Sequence, residues 1–166
     1  MRNVRIVFES NQSFIGKMIH WFTRGRVDHV AIIYDSEDWQ SPWVTEASTS
    51  GMIAKPARSR KWSWVVTPKY DAVGHLQSIQ EFIGQKYDFQ SFFLWIPFLL
   101  AWRWLKVKLR RPSMSSRAQY CSEYAAHLAL ARLGSVVEDP QWVHPEQLLK
   151  IFEEHPDDYE VMRAEV

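Results

Sequence analysis

The sequence predicts a single α+β domain, and three observations carry that expectation. Several short runs alternate apolar and polar residues with period two, and other runs repeat apolar residues at helical spacing. The two kinds are interleaved along the chain. No internal repeat or low-complexity linker divides the 166 residues, a length that fits one domain able to bury a real core without disulfides or metals.

The elements follow in order. "VRIVFE" sets Val4, Ile6 and Phe8 against polar or charged neighbours, the pattern of a half-buried strand. "SNQSFIGKMIHWFTRG" places Ile15, Met18, Ile19 and Phe22 on one helical face, with Ser10 or Asn11 as the expected cap and Gly25 as the expected end. "HVAIIYDS" and "WVTEAST" are strand-like runs joined by the turn-rich "EDWQSP", which predicts antiparallel neighbours. "GMIAKPARS" and "WSWVVTP" predict two more short strands. Pro56 donates no N–H to a ladder, so it belongs at a sheet edge or a strand end.

"DAVGHLQSIQEFIGQ" predicts a second helix, with Val73, Leu76, Ile79, Phe82 and Ile83 in register and Asp71 as its cap. From Phe89 to Leu105 the chain runs "FQSFFLWIPFLLAWRWL", followed by the basic "KVKLRR". About 20 uninterrupted apolar residues span a bilayer, and this run is shorter and broken by Pro97 and Arg103. It fits two arrangements equally: an interfacial segment with Trp and Phe beside a Lys/Arg cluster, or a buried helical hairpin with a solvated basic end. A third helix is expected after "PSMSS", capped by Ser115 or Ser116, carrying Tyr124, Leu128 and Ala131 on its apolar stripe and stopping at Gly134. "HPEQLLKIFEEH" predicts a short helix with Pro145 in its first turn, and "YEVMRAEV" a closing strand.

Composition narrows the function classes. Twenty basic and nineteen acidic residues leave a formal charge of +1, so no overall field draws the protein onto nucleic acid. The N-terminal "MRNVRIVFES" has no apolar stretch of signal-peptide length with a small-residue cleavage site. The expected location is cytoplasmic, or outside the cell by a non-Sec route such as a phage or a secretion system. Nine Trp, nine Phe and six Tyr predict a bulky core or an apolar binding surface.

The chain has one cysteine, which excludes an internal disulfide and a cysteine-built zinc site from this chain alone. Cys121 falls in the first turns of its expected helix. There, backbone N–H groups without helical partners favour a thiolate and can hold a developing oxyanion. A thiol has a pKa of roughly 8.5 and must be activated to attack carbonyls at neutral pH. Among six histidines, His29 opens a strand, a rigid mount for a catalytic base. Glu46 lies on the strand paired with it, where its carboxylate can fix the imidazole tautomer. Cys121, His29 and Glu46 are thus the candidate nucleophile, base and orienting residue. His127 is on the helix of the cysteine but six residues on, facing elsewhere, and His20, His75, His144 and His155 are expected to be solvated or structural. No HExxH pattern or other His/Asp/Glu cluster with ligand spacing is present, so neither a metal nor a cofactor is expected. On residues alone a structural reading stands beside the catalytic one: a single cysteine near a helix start is often packing, and a strand histidine beside Asp28 can be merely hydrogen-bonded.

The ordered set "DHVAIIY", "VTEAS" with "GM" soon after, "GQKYDF" and "YCSEYAAHLAL" resembles the circularly permuted branch of the NlpC/P60 papain-like superfamily, the YiiX/YebB-like proteins. The resemblance spans roughly residues 4 to 150. It implies a papain-like antiparallel sheet packed against the cysteine helix; the long apolar stretch between Asp88 and Cys121 departs from the family pattern and is read as an aromatic insertion at 89–112. It also implies a cysteine peptidase or amidase in which Cys121 is the nucleophile, His29 the general base and then acid, and Glu46 the residue that orients His29. The family's "GxxYD" element maps onto Gly84, Tyr87 and Asp88, as structural or cleft-lining positions, and Tyr120 beside the nucleophile is expected to shape the pocket. Where such proteins commonly carry Ser before the histidine, this chain has Asp28, an extra carboxylate that either raises the basicity of His29 or faces solvent. Tyr120, Tyr87 and Asp28 are the candidate substrate-binding residues.

The implied substrate is a peptide or a peptidoglycan stem-peptide fragment, cleaved at an amide bond. Residues 89–111 keep a second enzymatic reading open, a lipid or acyl-ester hydrolase or acyltransferase like the lecithin:retinol acyltransferase relatives, with contact to a membrane surface. A third reading is a non-catalytic binding module that uses its aromatic surface.

Overall fold

Two hydrophobic clusters on opposite faces of one sheet organise the chain. In the computed structural model, the described residues are 3–10, 13–35, 42–48, 51–57, 61–72, 83–84, 86–87, 118–119, 121–134 and 143–164. In chain order the elements are β1 (Val4–Glu9), α1 (Phe14–Thr23), β2 (His29–Tyr34), β3 (Trp43–Ser48), β4 (Gly51–Pro56), β5 (Trp64–Pro68), β6 (Lys86–Tyr87), β7 (Ala118–Gln119), α2 (Cys121–Leu133), α3 (Pro145–Glu153) and β8 (Tyr159–Arg163). Six strands form an antiparallel sheet in the order β4-β3-β2-β1-β5-β8, and β6 and β7 form a separate parallel pair. The mixed α+β class expected from the sequence is the one observed.

Strand alternation explains the two clusters. Ile6, Phe8, Val30, Ile32 and Tyr34 turn to the face covered by α2 and α3, where they meet Tyr124, Leu128, Leu148 and Phe152. Val7, Ala31, Ile33 and Val44 turn to the other face, against Trp62 and Val65. The central strands β1 and β2 are therefore buried on both sides; β1, expected to be half-buried, differs because Val7 joins the cluster on the second face. Aromatic contacts extend the larger cluster, with Phe8 and Phe152 edge-on at 6.2 Å and Phe152 and Tyr159 tilted at 4.5 Å between ring centroids. Pro56 closes β4, an edge strand, where its missing N–H leaves no ladder bond unmade.

Several expected boundaries differ. The cap of α1 is Ser13, whose Oγ accepts from Gly16 N at 3.0 Å; Ser10 instead turns its Oγ to His20 Nε2 at 3.2 Å. The helix ends on Arg24 in the left-handed region (φ 52°), with its N–H donating to His20 O, rather than on Gly25. Gly25 serves a different need, because a Cβ there would lie 2.6 Å from Glu146 Cβ; only glycine lets this loop approach α3. The helix carrying the cysteine does not begin at Ser115 or Ser116. Ala118 and Gln119 are extended, paired in parallel with Lys86 and Tyr87, and α2 begins at Cys121 itself. His144 caps α3, its Nδ1 accepting from Gln147 N at 3.2 Å. The expected helix over 71–85 lies largely outside the described residues, and the aromatic run 89–112 lies wholly outside them.

Candidate active site

The site is assembled at one end of the sheet by the starts of two elements. His29 is the first residue of β2 and Cys121 the first of α2. The β2–β3 ladder runs from Tyr34 opposite Trp43 to Ala31 opposite Glu46 and stops two residues short of His29. By this register Glu46, opposite Ala31, is the diagonal neighbour of His29 on the next strand. That diagonal is closed by a hydrogen bond of 3.0 Å between His29 Nε2 and Glu46 Oε2. The Cys121 thiol is the second group that acts on this imidazole, close enough to raise its pKa. With Nε2 held by Glu46, Nδ1 is the nitrogen left for the sulfur.

Burial and charge act on this histidine in opposite senses. Burial works against the imidazolium, but hydrogen bonding and electrostatic interaction with Cys121 and Glu46 outweigh it and push the pKa up to about 10. Glu46 is 4% exposed, so its carboxylate is rigid and poorly screened. Its second oxygen, Oε1, is taken by the Lys55 ammonium from β4. Lys55 stands opposite Val44, two residues along from Ile53, which is opposite Glu46. The row His29, Glu46, Lys55 therefore crosses three adjacent strands in one diagonal line. Lys55 was not singled out in the sequence, because only the strand register places it beside Glu46.

Cys121 is 6% exposed and belongs to the larger core cluster. Its neighbour Ser122 is fully buried, and the Ser122 hydroxyl has no hydrogen-bond partner among the described residues. One turn on, burial pushes the Tyr124 phenol up, with the adjacent Thr45 hydroxyl pulling the other way. The two-stranded β6–β7 ladder holds the backbone that leads into the cysteine, with Tyr87 opposite Gln119. Gly84, in the element "GQKYDF", has φ +88° and donates its N–H to Met52 O at 2.9 Å, so this turn is tied to β4 and requires glycine. The Tyr87 side chain, Asp88 and Tyr120 lie outside the described residues.

Asp28 does not face solvent. It is 4% exposed, and His20 Nε2 approaches its Oδ1 at 3.4 Å while His20 Nδ1 bonds Gly25 O at 2.7 Å. The charges that raise His29 are those of Cys121 and Glu46; Asp28 instead ties the end of α1 to the start of β2. His127 is partly buried, and burial lowers its pKa. His144 is held at about 4, mainly by burial, which suits a cap that accepts a hydrogen bond. His155 Nδ1 bonds Ile151 O at 2.7 Å. His20, His144 and His155 have local structural partners, whereas His29 is hydrogen-bonded to a carboxylate and acted on by the thiol.

No family model, curated protein or solved structure matches the chain.

Proposed function

We propose that the chain is a thiol hydrolase that cleaves an amide bond in a peptide or a peptidoglycan stem peptide, with Cys121, His29 and Glu46 as its catalytic set. One observation carries this reading: one imidazole, hydrogen-bonded to Glu46 through Nε2 at 3.0 Å, is also acted on by the only thiol of the chain. The raised His29 pKa favours a proton on the imidazole next to the sulfur, which is the state a thiolate nucleophile requires.

The steps balance with these groups alone. The Cys121 thiolate adds to the amide carbonyl carbon, and the oxygen takes the negative charge beside the N–H groups of the first turn of α2, which have no helical partner. Collapse breaks the C–N bond, and the His29 imidazolium passes its proton to the leaving amine. Neutral His29 then takes a proton from water as the water oxygen attacks the thioester. Release of the acid returns the thiolate and the imidazolium. Glu46 stabilises the imidazolium throughout without itself taking the proton.

A papain-like arrangement is part of the proposal. It is supported by the order of a histidine strand, an acidic strand and a cysteine helix, and by the packing of α2 on the sheet through Tyr124 and Leu128. The aromatic run at 89–112 lies outside the described residues, so the acyl-ester reading has no structural observation of its own. The test is hydrolysis of peptide and stem-peptide libraries followed by mass spectrometry, with Cys121→Ala as control. Amide cleavage that disappears in the variant supports the proposal; cleavage retained by Cys121→Ala sinks it.

A further inference from the structure

We propose that Lys55 is a positioning residue of the site, which anchors the far oxygen of Glu46 and limits how much of its negative charge His29 feels. The inference rests on the thiol-hydrolase reading and extends it outward by one strand. A carboxylate that is 4% exposed is costly to keep charged unless both oxygens are satisfied. Here Oε2 is held by His29 Nε2 and Oε1 by Lys55 Nζ. The two cations sit at opposite ends of one diagonal across β2, β3 and β4, so they compete for the same charge from opposite sides.

That competition matters for turnover. The histidine must hold a proton while the thiolate waits, yet release it to the leaving amine and then act as a base toward water. A lone buried Glu46 beside His29 would favour the first task at the expense of the other two. Lys55, on the edge strand with a side chain 47% exposed, draws part of the carboxylate's charge away and leaves the imidazole more able to give up its proton. Among the described residues, the titratable groups that face this row from neighbouring elements include Cys121 on α2, Glu9 opposite His29 on β1, and Asp28 with its partner His20.

The experiment is an NMR titration of the His29 ring nitrogens in the full chain, for the wild type, Lys55→Met and Lys55→Arg, run beside iodoacetamide alkylation of Cys121 in the wild type and His29→Ala. The expected result is a His29 titration moved to higher pH by about half a unit in Lys55→Met, with the wild-type position restored in Lys55→Arg. A merely structural lysine on an exposed edge would not move this titration. An unchanged or lowered titration in Lys55→Met, with alkylation of the wild type still dependent on His29, overturns the role of Lys55 and leaves the thiol-hydrolase reading intact. Alkylation that is the same in the wild type and His29→Ala removes the Cys–His pair, and this inference with it.

Discussion

Glu46 stands diagonally across from His29 on the neighbouring strand, and the 3.0 Å bond between them takes Nε2 of the imidazole on which Cys121 also acts. The relationship is set by strand register. A slip of one residue in β3 would turn Glu46 to the opposite face and leave both the histidine and Lys55 without the carboxylate. The chemistry proposed for the site follows from that register, and so do most of the outcomes below.

The reactivity of Cys121 is expected to depend on His29. Alkylation by iodoacetamide should persist well below the pH at which an ordinary thiol, with a pKa of roughly 8.5, stops reacting. In His29→Ala the profile should revert to that of an ordinary thiol. Rates measured across pH 5 to 10 decide this, and an ordinary profile in the wild type contradicts the nucleophile assignment.

Glu46→Gln should reduce hydrolysis by about 100-fold, in line with the loss of an oriented general base. The His29 titration should move down, because the hydrogen bond and charge of Glu46 both raise it. Measuring kcat/KM together with the ring-nitrogen titration separates lost orientation from misfolding. A folded variant with full activity would remove Glu46 from the catalytic set.

Stability should fall with rising pH in the alkaline range. His29 binds its proton more tightly in the folded state, at about 10, than in the unfolded chain, at about 6.5. In the thiolate–imidazolium state proposed above, the folded pair binds the same one proton as the unfolded chain until the unfolded thiol ionises at roughly pH 8.5; from there to about 10 the folded state holds a proton that the unfolded state has lost, so unfolding free energy decreases as pH increases and the contribution is gone above the folded value. Urea midpoints at pH 6 and pH 10 should differ more in the wild type than in His29→Ala; equal differences would show that His29 is not the linked group.

Gly25→Ala should destabilise the protein by about 1–3 kcal/mol through overpacking against α3, since its new methyl group would meet Glu146 Cβ at 2.6 Å. Glu146 has little room to yield, because Arg26 holds its carboxylate by Nε at 2.9 Å and also through the backbone N–H. Denaturant unfolding measures the loss. A variant as stable as the wild type would mean that the loop before β2 adjusts freely.

The amino-acid order by itself determined the alternation of strands and helices, the antiparallel neighbours β2 and β3, Pro56 at a strand end, and the candidacy of Cys121, His29 and Glu46. Each of these follows from local periodicity or from the chemistry of a residue type, and both are carried by neighbouring residues. Helix boundaries were less legible. Ser10 and Ser13 are both competent caps, and the choice between them fell to where His20 and the end of β1 lie; the start of α2 was decided by the pairing of Ala118 and Gln119 with a segment over thirty residues upstream. Only the tertiary structure brought Lys55 to Glu46, turned Asp28 away from solvent toward His20, and set the first residue of α2 against the first residue of β2. Those contacts depend on register and on the meeting of element ends from distant parts of the chain, which no local pattern of residues specifies.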